Sequence, residues 1–316
     1  MDELWDKIII GIRDMLAGLL THSYTSLFDN INGQIATISG SVTQVPSNFS
    51  HWGADVDSLV RTISEDVIMP IGILIITALM CYELINAVLE KNAMHEMGSE
   101  FIFKWLMRAC ISVLLLSYTY DMSSAIFTLG AELATSATAH FTEPTDVDAA
   151  ALGFSAADGS LLDHYVKDLS YDEDEDGEYD FGDKYEHSVG EILGMAMIAY
   201  ICKIVFLAMW VIIEVSLVGR MIEIFMYLSV APIPFATLTN REWGNIGTNY
   251  IRTLAALAFQ AFLIVLCVGI YGYLIIKLGT ATDLSTATLQ LLGCSIALLV
   301  GIRGSKNFAM SIFNAH

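Results

Sequence analysis

The chain has 316 residues, of which 55% are apolar and 16% are charged, with a formal net charge of −20 at pH 7. A soluble domain carries about 25% charged residues, so this composition excludes an ordinary soluble fold and favours a helical membrane protein. About half of the 35 acidic residues lie between residues 121 and 191. The negative charge therefore belongs to one loop, and it does not indicate a surface that binds polyanions.

The first 66 residues contain no apolar run of membrane length. Apolar residues recur at helical spacing from Trp5 to Leu19, and a weaker periodicity continues to Ile38. Four charges between Asp6 and Asp14 make a spanning helix costly. The pattern therefore predicts an amphipathic helix over residues 3–28 that lies on a membrane or on partner helices. A loop and a short polar helix near residues 56–64 follow.

Five apolar runs predict an all-α, polytopic membrane fold. Pro70 lies near the start of the first run, where a helix tolerates the missing N–H in its first turn. The predicted spans are residues 67–89, 101–120, 192–218, 253–276 and 287–302. These spans divide the chain into an N-terminal region (1–66), a hairpin (67–120), an acidic loop (121–191) and a core (192–316).

Basic residues cluster in the turn 90–108, in the segment 219–252 and in the C-terminal tail. The positive-inside rule places all three clusters in the cytoplasm and the acidic loop outside. Five crossings, with the N-terminus outside and the C-terminus inside, satisfy every one of these assignments. The sequence therefore predicts a multi-pass protein of the cell membrane with this orientation.

Residues 219–252 form a mostly apolar segment that Pro232 and Pro234 interrupt. Pro232 removes a backbone donor and excludes helical backbone at Ala231, so the pattern predicts a broken helix that is cytoplasmic or re-entrant. Non-helical backbone at membrane depth is tolerated only inside protein or beside water.

The polar groups of this segment suggest how it ends and what it contacts. Asn240 is placed to cap the next helix, and Arg220 and Glu223 lie one turn apart and can pair. The segment is either a plain connector or a cytoplasmic docking and gating elbow whose arginines face nucleic acid or an ATPase. The candidate elbow residues are Arg220, Glu223, Pro232, Pro234, Asn240, Arg241, Glu242, Trp243 and Arg252.

Five of the polar side chains within the predicted spans are candidates for a functional role, because an unpaired charge there costs at least ~2.5 kcal/mol. Glu83 and Arg108 lie at similar depths, so they form either an ion pair that joins the hairpin or the lining of a pathway. Lys203 and Glu214 are about three helical turns apart and share one face. This face is one candidate for a conduit or a subunit interface, with Gln260 as a possible partner. The alternative is that Lys203 only extends toward the headgroups or bonds to a carbonyl of a neighbouring helix.

Residues 172–183 read DEDEDGEYDFGD and follow the register of a twelve-residue calcium loop. Gly177 occupies the position where the chain must turn sharply, but the last position holds Asp rather than the bidentate Glu. Any calcium affinity is therefore weak, ~10⁻⁴–10⁻³ M, and a solvated acidic loop is the alternative. The candidate ligands are Asp172, Asp174, Asp176, Glu178, Asp180 and Asp183.

Signatures of catalysis are missing from the sequence. It contains no phosphate-binding loop, no H-E-x-x-H pair and no G-x-S-x-G elbow, and its seven histidines have no metal-ligand spacing. The five cysteines lie in apolar runs without a C-x-x-C pair, which favours buried apolar side chains. An enzyme is therefore not expected.

Four stretches of the sequence resemble one known family. They are MDELWDKIIIGI at the start, VIMPIGILIITALMCYELINAVLEKNAMH from residue 67, the segment 219–271 that begins GRMIEIFMYLSVAPIPF, and the ending SIFNAH. The family is that of the TrbL-like polytopic membrane subunit of conjugative type IV secretion systems, in the form found on Gram-positive integrative elements. The resemblance covers about residues 1–120 and 189–316.

The resemblance implies a channel component of the cell membrane, surrounded by lipid, that oligomerises with itself. It also implies contact with other subunits of the secretion system, including its ATPases, and passage of a single DNA strand with its pilot protein. Two alternatives remain: an ion-coupled secondary transporter with Lys203 and Glu214 as its coupling site, and a non-conducting membrane scaffold. The absence of an internal repeat between the two halves argues against the transporter.

Overall fold

The computed structural model describes residues 2–42, 54–90, 99–140, 184–278 and 284–315, and every regular element in these ranges is helical. The all-α prediction is confirmed. The elements are α1 (Asp2–Val42), α2 (Ala54–Thr62), a π-helical turn (Ile63–Ile68), α3 (Met69–Glu90), α4 (Ser99–Ser117), α5 (Thr119–Ala139), α6 (Lys184–Val230), α7 (Pro232–Thr237), α8 (Gly244–Leu278) and α9 (Leu284–Ile312).

Among the described residues, four helices are long and apolar enough to cross a membrane. Helices α4 and α5 also pass this test together, although they are bent by 63° at their junction, and they raise the number to five if they form one span. The multi-pass prediction is confirmed, whereas the side of the membrane on which each terminus lies stays a prediction. The four single spans are Val56–Asn86, Leu193–Val230, Gly244–Ile275 and Ser285–Ile312.

Residues 54–90 form one uninterrupted helical run, so Pro70 does not lie in the first turn of a separate helix as predicted. Proline has no N–H, and its ring clashes with the carbonyl four residues back. A π-helical turn directly before Pro70 accommodates it, and the N–H of Met69 bonds to the carbonyl of Ser64, five residues back. The polar helix and the first span are therefore continuous.

Helix α1 extends further than the predicted amphipathic helix and buries a different stripe. Ile12 and Leu19, which belong to the predicted stripe, are 44% and 51% exposed. If the predicted stripe continued past Leu19 at the same spacing, its next positions would be Ser23 and Ser26, which are polar. The apolar residues instead shift by about one position near Leu20. The buried stripe is Leu20, Tyr24, Leu27, Ile31, Ile35 and Ile38.

The chain forms two compact units. The described residues of unit 1 lie within Met1–Ser39, Ala139–Val215 and Leu266–Ile302, and those of unit 2 within Gly40–Thr138, Ser216–Val265 and Arg303–His316. In unit 1, the Tyr24 and Thr288 hydroxyls bond at 2.9 Å, and those of Tyr271 and Ser295 at 2.8 Å. Buried hydroxyl pairs of this kind join α1 to α9 and α8 to α9.

The core of unit 2 is built around α6, α7 and α8. The rings of Phe235 and Tyr250 pack edge to face with centroids 5.9 Å apart. The Tyr250 hydroxyl donates to the carbonyl of Tyr227 at 2.6 Å, and Leu228 and Leu254 beside these rings are fully buried. These contacts fix α7 between the end of α6 and the start of α8.

Gly130 marks a close approach of α5 to α8. A Cβ on Gly130 would lie 2.5 Å from the carbonyl oxygen of Ala258, so one of the two backbones would have to move. We expect Gly130→Ala to lower the free energy of unfolding by about 1–3 kcal/mol. Thermal unfolding of the purified protein in detergent measures this loss.

Gly219 supplies the matched control, because a Cβ there would meet no atom within 4 Å. Gly219→Ala is expected to leave stability unchanged or to raise it by about 0.5–1 kcal/mol, since alanine is the better helix former. Equal losses from the two substitutions would contradict the close approach at Gly130.

Candidate functional site

The segment that the two prolines interrupt is a short break between α6 and α7. Ala231 has φ −49° and ψ −39°, which is helical, so the prediction that Pro232 excludes helical backbone at this residue is wrong. The helix is interrupted because Pro232 and Pro234 lack the N–H groups that would bond to earlier carbonyls. The N–H of Phe235 does bond to the carbonyl of Ala231, at 3.2 Å. The break is therefore a loss of hydrogen bonds rather than a change in backbone conformation.

Helix α7 is buried against the hairpin formed by α3 and α4. A Cβ on Gly72 of α3 would lie 3.0 Å from the carbonyl oxygen of Pro232. Further along α3, Ala236 packs against Ile76 and Met80. The broken segment thus lies alongside a predicted span and is covered by protein, and whether it is cytoplasmic or re-entrant stays a prediction.

A polar network joins this segment to the hairpin through the carboxylate of Glu83. Arg108 Nη1 donates to Glu83 Oε2 at 2.9 Å, and Asn240 Nδ2 donates to Glu83 Oε1 at 3.0 Å. Asn240 Oδ1 accepts the backbone N–H groups of Glu242 and Trp243, each at 2.9 Å, just before α8 begins. The structure thus forms both the predicted ion pair and the predicted cap, and one asparagine connects them.

Hydroxyl groups reinforce the same contacts. The side chains of Ser112 in α4 and Thr239 in the connection bond to each other. The Thr237 hydroxyl donates to the carbonyl of Pro234 at 2.8 Å and accepts the N–H of Gly247 at 3.1 Å. The Thr237 hydroxyl thus joins a carbonyl of α7 to an N–H in the first turn of α8, where helix termini leave backbone groups without intrahelical partners.

Arg220 is buried, with only 8% of its surface exposed, and its Nη2 donates to the carbonyl of Leu257 at 3.3 Å. The prediction that Arg220 faces nucleic acid or an ATPase is therefore wrong. Glu223 accepts a hydrogen bond from Lys306 Nζ at 2.5 Å. The predicted Arg220–Glu223 pair is thus replaced by contacts of each residue with a different neighbouring helix, α8 for Arg220 and α9 for Glu223.

The predicted partnership of Lys203 with Gln260 is replaced by separate contacts. Lys203 Nζ donates to Ser26 Oγ of α1 at 3.0 Å. Gln260 Nε2 donates to Ser305 Oγ of α9 at 3.4 Å, and Glu214 is half-buried. Each amine or amide therefore contacts a nearby serine, because a hydroxyl on an adjacent helix accepts without a second charge.

Four of the candidate elbow residues are exposed: Arg241, Glu242, Trp243 and Arg252. Trp243 is 52% exposed, although it is a large aromatic side chain. Aromatic and arginine side chains are enriched in protein interfaces. The exposed part of the elbow is therefore its polar tip, whereas its proline-containing part is buried.

The candidate calcium ligands, Asp172 to Asp183, lie outside the described residues, so the calcium site stays a prediction. In the part of the chain that the structure describes, no group of three His, Cys, Asp or Glu side chains could hold a metal ion. Cys202 is buried as predicted, but Cys81 and Cys110 are exposed. These two cysteines lie on outward faces of α3 and α4, where lipid can surround a small apolar side chain.

Together, the helices and the buried, proline-broken segment define a polytopic helical membrane protein. A family model described as "TrbL/VirB6 plasmid conjugal transfer like protein" matches residues 31–158 and 183–232. Because the match covers more than half of the chain, the chain belongs to this TrbL/VirB6 conjugal transfer family. Comparisons with curated proteins and with solved structures find no match.

The extent of the family match differs from that of the sequence resemblance. The match includes residues 121–158 and 183–188, which the resemblance left out, and it ends at Pro232. Helices α8 and α9 therefore lie beyond the matched region. The buried contacts of Arg220 and Glu223 nevertheless join the matched α6 to both of these helices.

Proposed function

We propose that this chain is a channel or scaffold subunit of a conjugative type IV secretion machine. In this role it helps to pass single-stranded DNA, with its pilot protein, across the cell membrane. The observation that carries the proposal is the family membership, joined to the position of α7, which packs along the α3–α4 hairpin at Gly72 and Ala236. Interrupted helices at membrane depth are typical of proteins that move a substrate, since they place backbone groups beside a pathway.

The exposed tip of the elbow suits contact with a partner protein. Arg241 and Trp243 combine a fork of donors with a large aromatic surface, and Glu242 offsets the charge of the arginine. A tip with so little net charge is a weak electrostatic match for DNA, whose binding depends on the neutralisation of several phosphates. We therefore assign the tip to an ATPase of the machine and the buried part of the elbow to gating.

Several further features belong to the same proposal. The subunit oligomerises with itself, its N-terminus lies outside and its C-terminus lies in the cytoplasm. A non-conducting scaffold is the competing function. It is favoured by the pairing of Glu83 with Arg108 and of Glu223 with Lys306, because these charges hold helices together instead of facing a pathway.

Crosslinking with formaldehyde during mating distinguishes the two functions. Recovery of transferred-strand DNA with the precipitated subunit supports the channel. A donor whose DNA-nicking step is inactive is the control, because it assembles the machine without a transferred strand. If no DNA is recovered while other subunits still co-precipitate, the result supports the non-conducting scaffold. Solute uptake by the purified protein in liposomes would instead indicate a transporter.

A further inference from the structure

Helices α1 and α6 line a partly open cavity of about 340 Å³ within unit 1. The functional assignment above does not use it. Nine residues line it: Leu27, Asp29, Asn30, Gly33 and Thr37 from α1, and Lys203, Phe206, Leu207 and Trp210 from α6.

The two helices run in the same direction along this cavity. Lys203 bonds to Ser26 at 3.0 Å, and Ile38 and Ile213, further along both helices, line one smaller cavity. The residue numbers of α1 and α6 therefore increase in the same direction along the cavity. This order fixes which lining residues share each end of the larger cavity.

One end of the cavity is polar and the other is apolar. Lys203, Asp29 and Asn30 lie at the end where Ser26 contacts α6. Leu207 and Trp210 lie at the other end, opposite Gly33, where a Cβ would meet no atom within 4 Å. The cavity therefore changes from polar to apolar along its length. At its apolar end, Gly33 has no side chain and leaves space for a ligand.

The polar end carries one positive and one negative group. A purely anionic ligand would be repelled by Asp29 and a purely cationic ligand by Lys203. A zwitterion meets both charges, and Lys203 keeps two N–H donors beyond the one that Ser26 accepts. Charge complementarity therefore selects a ligand that has an anion, a cation and an apolar part.

Lys203 lies in the first third of a long candidate span. The candidate span Leu193–Val230 has 38 residues and is about 57 Å long, whereas a bilayer core is about 30 Å thick. Nearly half of this helix must therefore lie outside the hydrocarbon if it runs upright. Lys203 is about 15 Å from the start of the span, and its depth near the middle of the bilayer stays a prediction.

We propose that this cavity binds a phospholipid with a zwitterionic aminoalkyl headgroup. The phosphate lies at Lys203, the ammonium lies at Asp29 and the start of an acyl chain lies along Leu207 and Trp210. A cavity of this size holds a headgroup and part of one chain. The rest of the lipid lies against exposed apolar side chains of α6 that continue beyond this end, such as Val211 and Val215.

Native mass spectrometry of the full chain in detergent, with phosphatidylethanolamine or phosphatidylglycerol added, tests this proposal. We expect the unsubstituted chain to retain phosphatidylethanolamine about two- to fivefold better than phosphatidylglycerol, as an ion pair with the exposed Asp29 implies. Lys203→Met is expected to lose about tenfold in retention of phosphatidylethanolamine. Asp29→Asn is expected to remove the preference between the two lipids.

Two further variants keep the test decisive. Lys203→Arg keeps the cation and should retain the lipid, and Lys104→Met removes an exposed lysine of α4 and should change nothing. Equal retention of both lipids by the unsubstituted chain, or unchanged retention in Lys203→Met, would overturn the proposal. The assay involves no DNA transfer, so its failure would leave the assigned function untouched.

Discussion

Glu83→Gln is expected to lower the free energy of unfolding by about 2 kcal/mol, because the carboxylate accepts charge-assisted bonds from Arg108 and Asn240. Glu83 is only 16% exposed, so water compensates little for their loss. Arg108→Gln should cost less, because Arg108 is 45% exposed, and the double variant should cost no more than Glu83→Gln alone. Unfolding of the four proteins in detergent measures this coupling, which for residues in contact is about 0.5–3 kcal/mol.

The pair of Arg61 and Glu65 provides the control for this cycle. These two side chains also form an ion pair, at 2.8 Å, but they are 47% and 39% exposed and lie one turn apart on the same helical run. Their coupling is expected to reach only about 0.3–0.5 kcal/mol. If the losses at Glu83 and Arg108 were simply additive, the ion pair would contribute nothing to stability.

Asn240 offers a second measurement at the same network. Asn240→Asp keeps an acceptor for the backbone N–H groups of Glu242 and Trp243 but replaces the donor to Glu83 with a second carboxylate. It should therefore destabilise the contact between α3 and the elbow while it preserves the cap of α8. Asn240→Ala, which removes both functions, should cost at least as much stability.

Replacement of both Pro232 and Pro234 by alanine is expected to reduce DNA transfer by about tenfold or more and to leave assembly intact. Ala231 already has helical backbone angles, so the new N–H groups at 232 and 234 can bond to the carbonyls of Leu228 and Val230. Proline disfavours a helix interior by about 3 kcal/mol relative to alanine. Helix α6 would then continue through α7 with two more hydrogen bonds, and the junction would lose the flexibility that a gating role requires.

Transfer is measured as recipients per donor, and assembly by co-purification of the other subunits. Pro70→Ala is the matched control, since Pro70 also lies within a helical run but outside the elbow. That variant should relax the π-helical turn without an equal loss of transfer. Normal transfer by the double proline variant would remove the gating role from the elbow.

Helices were predictable where long apolar runs met clear stop signals. Pro232 marked the end of α6, and the break occurs at Ala231, directly before it. The close packing of α5 was not predictable, because Gly130 and Ala134 carry little hydropathy signal. Yet small residues are what allow backbones to approach in membrane proteins. Hydropathy therefore predicted which segments span the membrane, but it did not predict which helices pack against each other.

The polar site was predictable in parts but not in its connections. Equal depth in two adjacent spans was enough to pair Glu83 with Arg108. The bond between Asn240 and Glu83 joins residues 157 positions apart, and no local pattern encodes it. A signal was nevertheless present, because an asparagine that caps a helix with its oxygen still has an amide group to donate. Arg220 was predicted to lie on an exposed cytoplasmic surface because it is charged. In the structure Arg220 is buried, since the carbonyl of Leu257 accepts a hydrogen bond from it.

The contacts of Arg220 and Glu223 have a consequence for how the chain is made. Synthesis proceeds from the N-terminus, so α6 leaves the ribosome before its partners do. Leu257 follows Arg220 by 37 residues, and Lys306 follows Glu223 by 83. During that interval the two opposite charges, one turn apart on α6, can compensate only each other. A ribosome that stops before Lys306 therefore releases a chain whose Glu223 never receives its final partner.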